Sequence, residues 1–112
     1  MIGHSLGGIE TFALTAMDSR IRVALACVTP VGALDRMRDP VRAPRNFARA
    51  LNGRPFLMQM GRNDPFCNEA QAQSLFDIIP GSKKEIVFYD SGHSLPTGYV
   101  SKALKWLQDG LQ

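Results

Sequence analysis

The sequence predicts an α/β fold in which helices flank a parallel sheet. Helical and strand patterns alternate along the 112 residues, and each strand pattern is a short, nearly continuous apolar run, as in strands buried on both faces. Alternation of this kind favours parallel strands joined by right-handed helical crossovers. Because this length is close to the usual domain size and the chain contains no repeats, we interpret residues 1–112 as a single domain.

The first half of the chain predicts a helix, a strand and then an irregular excursion. Directly after Ser5, apolar residues in "LGGIETFALTAMDS" recur at helical spacing, which predicts a helix to about Met17. The apolar run in "RIRVALACVTP" predicts a buried strand that ends before Pro30. The Arg-rich segment 31–53 follows, and we interpret it as a surface excursion with one helix near Arg45–Leu51.

The second half of the chain repeats the order of strand and helix twice. The segment "RPFLMQMG" predicts a strand over Pro55–Met60, and "NEAQAQSLFDIIPG" predicts an amphipathic helix that Pro80 and Gly81 stop. A further strand is predicted over Glu85–Tyr89, and "TGYVSKALKWLQDGL" predicts the last helix. The sequence therefore predicts a three-stranded parallel sheet with flanking helices.

The charge of the chain is modestly basic. The net charge is +3, from 13 Lys and Arg against 10 Asp and Glu, and much of the excess lies in "RMRDPVRAPRNFARALNGR". A basic surface can serve an acidic substrate or a nucleic acid. This stretch lacks the series of interleaved aromatic residues that a base-stacking platform needs. We therefore interpret it as a solvated helical surface and expect no nucleic-acid partner.

Several other classes of function lack their sequence signals. No apolar run approaches the ~20 residues of a transmembrane helix, so we expect no membrane association. The two cysteines, Cys27 and Cys67, show no metal-ligand spacing, and no signal-peptide pattern is visible, which together favour the cytoplasm. No phosphate-binding loop, metal cluster or dinucleotide fingerprint is present, so we expect no cofactor and no metal.

The most informative motif lies at the start of the chain. Gly3-His4-Ser5-Leu6-Gly7 fits the pattern G-x-S-x-G and directly precedes the first predicted helix. In this motif the serine occupies a strained strand-to-helix turn, and small residues on either side allow neighbouring elements to approach. The N–H of the residue after the serine lies at a helix N-terminus, where negative charge is stabilised. The motif therefore indicates a serine nucleophile, although a glycine-rich helix start can also be purely structural.

A serine nucleophile needs a base, and the base needs an orienting carboxylate. Both are expected at the carboxyl ends of parallel strands, where active sites of α/β sheets gather. His93 follows the third predicted strand in "YDSGHSLP", and Asp64 follows the second in "MQMGRNDPF". The other histidine, His4, lies inside the motif and is expected to point away from the serine.

Alternatives to these assignments remain. Asp90 is the rival carboxylate because it lies three residues before His93, although a role in capping the turn is the simpler interpretation. Asn63 or Glu69 could also take the place of Asp64. We interpret Cys27 as a buried strand residue rather than a reactive thiol. Cys67 lies near the predicted acid loop, but nothing beside it in the sequence would activate its thiol.

Together, these motifs resemble the α/β-hydrolase superfamily, and specifically the C-terminal half of small esterases and dienelactone-hydrolase-like enzymes. "GHSLGG" is similar to the nucleophile elbow of the family, "GRNDPF" to its acid loop and "GHS" to its histidine loop. The resemblance covers essentially the whole chain. It implies Ser5 as nucleophile, His93 as general base and acid, Asp64 as the carboxylate that orients the histidine, and the Leu6 N–H as an oxyanion-hole donor.

The expected substrate is a small carboxylic ester. The excursion between the first two predicted strands is too short for a large lid, which favours short acyl chains. Apolar residues near the site are candidates for an acyl pocket, although ordinary packing explains each of them as well; the candidates are Leu34, Met37, Phe47, Phe66 and Leu95.

The chain also departs from the family pattern. Only Met1 and Ile2 precede Gly3, so the resemblance implies a truncated domain in which the strand leading into the serine is nearly absent and an earlier loop with a second oxyanion donor is absent. The apolar strand Val23–Val28 would then be an exposed edge, which favours pairing with a second copy. We therefore expect a homo-oligomer, and a dimer formed through this strand is one such assembly. The alternative function is a weak or inactive hydrolase fragment that serves as an assembly module.

Overall fold

A four-stranded parallel sheet forms the centre of the molecule. The computed structural model describes residues 1–32 and 40–112. The strands lie side by side in the order of the sequence: β1 is Ile2–His4, β2 is Ala24–Cys27, β3 is Phe56–Gly61 and β4 is Lys84–Tyr89. The predicted α/β class and parallel sheet are confirmed, but the predicted number of three strands was wrong, because the short segment before Ser5 forms the additional strand β1.

Three helices flank the sheet: α1 is Leu6–Met17, α2 is Glu69–Ile78 and α3 is Tyr99–Leu111. The single helix expected near Arg45–Leu51 is replaced by 3₁₀ turns at Pro44–Asn46 and Ala48–Leu51, after another at Pro40–Arg42. Backbone hydrogen bonds in this segment close three-residue turns, from the Asn46 N–H to the Ala43 carbonyl and from the Ala50 N–H to the Phe47 carbonyl, and the left-handed Asn52 ends the last turn. None of the helices in the described ranges is both long enough and apolar enough to cross a bilayer.

The sheet separates two apolar layers. On one face, Phe12 of α1 and Leu75 of α2 pack against Phe56 and Met58 of β3 in the larger cluster of buried residues. On the other face, Leu57 of β3 belongs to a smaller cluster with residues of β2 and α3. Every residue of β2 and β3 is buried, as the continuous apolar runs in the sequence predict.

The strand expected at the edge lies inside the sheet. Residues Ala24–Cys27 pair with β1 on one side and with β3 on the other, so the prediction that Val23–Val28 is an unpaired edge was wrong. Few residues suffice for the pairing, because Leu25 N–H donates to the Met1 carbonyl (2.9 Å) and the Ser5 N–H donates to the Cys27 carbonyl (2.9 Å). The sheet of the described residues therefore ends at β1 and β4.

Candidate active site

Ser5 occupies the sharp turn between β1 and α1. Its backbone angles are φ 58° and ψ −116°, in the positive-φ region that only glycine enters without strain. The hydrogen bond from the Ser5 N–H to Cys27 ties this strained residue to the end of β2. The turn therefore has the geometry that the G-x-S-x-G motif predicts.

Two glycines near Ser5 allow this close packing. A Cβ atom on Gly3 would lie 1.9 Å from the Gly7 carbonyl oxygen and 2.0 Å from Thr11 Oγ1, and one on Gly8 would lie 2.3 Å from Thr29 Oγ1. Within the described ranges, a Cβ atom on Gly7 would have no atom within 4 Å apart from those of the adjacent residues and of the backbone of its own helix. Close contacts therefore exclude a side chain at Gly3 and at Gly8, whereas Gly7 tolerates one.

The three residues that the sequence predicts as a catalytic set form one chain of hydrogen bonds. Ser5 Oγ lies 2.8 Å from His93 Nε2, and His93 Nδ1 lies 2.8 Å from Asp64 Oδ2. The Asp64 side chain is fully buried, whereas the His93 side chain is 30% exposed. Each residue follows a different strand at the carboxyl edge of the sheet, where ligands of parallel α/β sheets bind.

Asp64 is held in place from both of its oxygens. Oδ2 contacts His93, and Oδ1 accepts a hydrogen bond of 2.8 Å from the Phe66 N–H in the turn after β3. At the end of β3, Gly61 lets the two loops approach, because a Cβ atom there would lie 2.0 Å from the Gly92 carbonyl oxygen. The backbone of the acid loop thus lies directly against that of the histidine loop.

The rival carboxylates have other partners. Asp90 is exposed, and Asn63 Nδ2 lies 3.5 Å from its Oδ1. Glu69 pairs with Arg62 at 2.9 Å across the surface. Of the acidic residues considered in the sequence, Asp64 is the one whose carboxylate meets the imidazole of His93.

Leu6 lies immediately after the serine at the first position of α1, and its side chain is exposed. The first N–H groups of an α-helix have no carbonyl partner within the helix, and the helix dipole adds positive potential at this end. The Leu6 N–H is therefore available to a negatively charged oxygen near Ser5. No acidic residue lies in the first turn of α1 to oppose this potential.

The candidate acyl-pocket residues lie in different places. Phe66 is 56% exposed, and its ring packs edge-on against the imidazole of His93 with 4.8 Å between the ring centres. Leu95 is half-buried and packs against the apolar cluster on the α3 side of the sheet. Leu34 and Met37 lie outside the described residues. Phe47 packs against the larger apolar cluster, whereas Phe66 lies against His93, one of the three predicted catalytic residues.

Neither cysteine is suited to be a nucleophile. Both are buried, and burial raises the pKa of the Cys27 thiol to about 11 and that of the Cys67 thiol above its usual range. Both thiols are therefore protonated near neutral pH. In the described ranges, no three His, Cys, Asp or Glu side chains are grouped so that they could hold a metal ion.

One buried polar residue near the site was not singled out from the sequence. Gln59 of β3 is fully buried, and its side chain bonds to residues on both sides of the histidine loop. The signal that could have identified it is a single glutamine within the apolar run "FLMQMG", since an unpaired amide is costly in such an environment.

Comparisons with solved structures identify the fold. An esterase from Pyrococcus furiosus matches with a TM-score of 0.82 and 15% identity, covering 99% of this chain and 53% of that chain. The α/β-hydrolase GrgF from Penicillium sp. sh18 matches with a TM-score of 0.79 and 14% identity, covering 97% and 62%. An acetyl xylan esterase from Paenibacillus sp. R4 matches with a TM-score of 0.81 and 18% identity, covering 96% and 44%.

The molecule therefore has the fold of part of an α/β-hydrolase, and it spans roughly half the length of these neighbours. Neither a protein-family model nor a curated protein matches the sequence.

Proposed function

We propose that this protein is a serine hydrolase that cleaves small carboxylic esters through an acyl-enzyme. The observation that supports this most directly is the continuous chain of hydrogen bonds from Ser5 Oγ through His93 to the buried Asp64, with both distances at 2.8 Å. A serine, an imidazole and a carboxylate in this order form the arrangement that activates a hydroxyl for attack on a carbonyl carbon.

In the proposed reaction, Ser5 Oγ attacks the carbonyl carbon of the ester while His93 Nε2 takes the hydroxyl proton. The tetrahedral intermediate collapses when the C–O bond to the alcohol breaks, and His93 returns the proton to the departing alcohol oxygen. A water molecule then attacks the acyl-Ser5 ester, with His93 again taking and returning one proton. The products are the carboxylic acid and the alcohol, and Ser5 regains its hydroxyl.

Asp64 selects the form of His93 that this reaction needs. Because the Asp64 carboxylate accepts a hydrogen bond from Nδ1–H, the neutral imidazole presents the lone pair of Nε2 to Ser5. When the imidazole gains a proton from Ser5, the nearby carboxylate stabilises the positive charge. The burial of Asp64 strengthens this interaction, because the effective dielectric constant there is lower than in water.

The Leu6 N–H supplies a donor for the negative charge that develops on the carbonyl oxygen. It adjoins Ser5 at the start of α1, where the helix dipole favours an anion. A single donor of this kind typically contributes about 10²–10³-fold to kcat.

The openness of the site favours short acyl chains. His93 retains 30% of its side-chain exposure, and Phe66 covers one edge of the imidazole while remaining largely exposed itself. Such a site offers little enclosed apolar surface to a long chain. One structural neighbour is named an acetyl xylan esterase, which fits the preference for a small acyl group.

A second candidate function is an interaction module of low catalytic activity. The observation that favours it is a group of exposed apolar side chains, Leu6, Leu14 and Met17, on the side of α1 that also carries the exposed Glu10. Under this proposal the face packs against a second copy of the chain, and the hydrogen-bonded residues at Ser5 contribute little turnover.

Covalent labelling distinguishes the two candidates. We expect a fluorophosphonate probe to label the folded protein at Ser5, as located by mass spectrometry, and we expect Ser5→Ala to remove the label. Ser82→Ala is the matched control, since this exposed serine precedes β4 at the opposite edge of the sheet, and it should label like the parent protein. A folded parent protein that does not label would refute the hydrolase proposal.

A further inference from the structure

Gln59 is a polar side chain in the most buried part of the sheet. It belongs to β3, whose six residues are all buried, and its own exposure is 0%. Leu57, two positions earlier on the same strand, has its side chain in the apolar cluster between the sheet and α3. Because side chains alternate along a strand, Gln59 faces the same layer.

The oxygen and the nitrogen of the Gln59 amide group each have a hydrogen-bond partner. Its Oε1 accepts a hydrogen bond of 2.5 Å from the hydroxyl of Tyr89, and its Nε2 lies 3.4 Å from the carbonyl oxygen of Tyr99 and 3.8 Å from Cys27 Sγ. A carbonyl oxygen can only accept, so the nitrogen of the amide must be the atom that faces Tyr99.

The two tyrosines stand at the two ends of the segment that carries His93. Tyr89 is the last residue of β4, and Tyr99 is the first residue of α3. Residues 90–98 between them form the loop that presents the imidazole to Ser5 and Asp64. One buried amide therefore joins the beginning and the end of the histidine loop to the strand that leads into Asp64.

The chemistry of these partners suits a fixed contact. Burial raises the pKa of Tyr89, so its hydroxyl stays protonated and able to donate at neutral pH. The raised pKa of Cys27 keeps the thiol neutral beside the amide nitrogen. A buried polar group whose donors and acceptors are all paired restricts its neighbours to one arrangement, because every alternative leaves an unpaired group.

We propose that Gln59 is a positioning residue, whose side chain fixes both ends of the histidine loop and thereby sets the distance between His93 and Ser5. The inference rests on the proposed hydrolase function for its effect on turnover, whereas its effect on the loop is independent of that function. Gln59 acts through the backbone of residues 90–98 and through Tyr89, without contacting the ester.

Gln59→Leu tests the proposal, since it keeps the approximate size of the side chain and removes its hydrogen bonds to Tyr89, Tyr99 and Cys27. We expect kcat for p-nitrophenyl acetate to fall about tenfold to hundredfold, as small displacements of reacting groups do, with KM changed less than about twofold. Leu57→Val is the matched control, because it disturbs the same strand and layer without removing a hydrogen bond to Tyr89 or Tyr99. It should leave kcat within about twofold of the parent protein.

Two measurements separate positioning from loss of stability and from a failed hydrolase proposal. In Gln59→Leu, amide hydrogen exchange should accelerate in residues 90–98, and the downfield proton resonance of His93 Nδ1–H should weaken; in Leu57→Val both should match the parent protein. These readouts remain valid in a protein without turnover. Unchanged exchange and an unchanged resonance in folded Gln59→Leu would overturn the proposal, whatever the activity.

Tyr89→Phe provides a second variant in case Gln59→Leu does not fold. It removes one hydroxyl and leaves the ring, so the amide loses its shortest hydrogen bond at little cost to packing. We expect faster exchange near Gly92 and His93 and a smaller fall in kcat than in Gln59→Leu. Parent-like exchange and parent-like kcat in Tyr89→Phe would contradict the role assigned to the amide.

Discussion

The surroundings of Asp64 and Asp90 differ in ways that decide which carboxylate can serve His93. The Asp64 side chain is fully buried and is oriented by hydrogen bonds to both oxygens. Asp90 lies on the surface, where water competes for its oxygens and its contact with Asn63 is long. A buried carboxylate with fixed oxygens can hold an imidazole in one tautomer, whereas an exposed and mobile one cannot.

The pair Asp64→Asn and Asp90→Asn tests this difference. We expect Asp64→Asn to lower kcat by about 10⁴-fold, because an amide at this position favours the wrong tautomer of His93. Asp90→Asn should change kcat less than about twofold. The measurement is steady-state hydrolysis of a p-nitrophenyl ester by both variants, and a large loss in Asp90→Asn with little loss in Asp64→Asn would reverse the assignment.

The raised pKa of Cys27 predicts how stability depends on pH. In the unfolded chain the thiol ionises near its ordinary value of 9.0, whereas burial keeps it protonated in the folded protein to about 11. The unfolded state therefore binds fewer protons than the folded state in this range, so the free energy of unfolding falls as pH rises. We expect a fall of about 1 to 3 kcal/mol from this group between these two pH values.

Urea denaturation of the parent protein and of Cys27→Ala across the same pH range checks this expectation. The variant lacks the titrating thiol, so its free energy of unfolding should fall less steeply. Without the Cys27 charge, the pKa of Tyr89 is also raised less, which changes the slope in the same direction. Parallel curves for the two proteins would contradict the role assigned to Cys27.

At the residue scale, the sequence predicts the residues that meet at Ser5 but not what holds them there. Ser5, Asp64 and His93 follow from a motif and from chain order, because active sites gather at the carboxyl ends of parallel strands. The bonds of Gln59 to Tyr89 and Tyr99 join residues 30 and 40 positions apart. No local pattern specifies such a pairing, since it depends on how strands and helices pack.

At the scale of elements, the turn from β1 into α1 depends on where a side chain can be accommodated. A Cβ atom on Gly3 would collide with the Gly7 carbonyl oxygen and the Thr11 hydroxyl, whereas a Cβ atom on Gly7 would point into open space. The two glycines are equally spaced from Ser5 in the motif, yet only one of them is sterically required. The spacing of the motif therefore does not reveal that packing excludes a side chain at Gly3 but not at Gly7.

Gly3→Ala and Gly7→Ala form a matched pair that tests this asymmetry. Gly3→Ala should lower the free energy of unfolding by about 3 kcal/mol or more, or prevent folding, because the backbone of α1 must move away from β1. Gly7→Ala should leave it unchanged or raise it by up to about 1 kcal/mol, since alanine favours the helix. Thermal unfolding followed by circular dichroism measures both, and equal losses in the two variants would contradict the packing described.

The secondary structure is predicted best where an element is long and strongly patterned. Periodic apolar spacing predicts α1, α2 and α3, and nearly continuous apolar runs predict β2, β3 and β4, with small errors at the ends of these elements. β1 has only three residues, too few to show any period, and it forms because the neighbouring β2 supplies hydrogen-bond partners. The helix expected near Arg45–Leu51 was wrong, because this segment forms two short 3₁₀ turns in place of an α-helix.

At the scale of the whole molecule, the interior position of β2 changes the expected mode of association. Ala26 lies in the middle of a strand that is paired on both sides, so the strand offers no edge to a partner. The exposed apolar side chains of α1 are the better candidate surface, with Leu14 43% and Met17 75% exposed. We propose that copies of the chain associate through this face.

Light scattering of the parent protein and of a double variant, Leu14→Lys with Met17→Lys, tests the association. We expect the parent protein to exceed 12.3 kDa and the variant to approach that mass, because two lysines at the interface would be desolvated and would repel their copies. Leu104→Lys, which changes an exposed leucine of α3, is the control and should not dissociate the assembly. A monomeric parent protein at micromolar concentration would contradict the proposal.

The hydrogen bond between Ser5 and His93 joins residues that are 88 positions apart and that follow the two outermost strands of the sheet. Contacts of such long range carry a large loop-closure entropy and tend to form late in folding. A chain diluted from denaturant would thus form its helices and its inner strands before Ser5 meets His93. Under the proposed function, the serine would therefore become reactive only when both outer strands are in place.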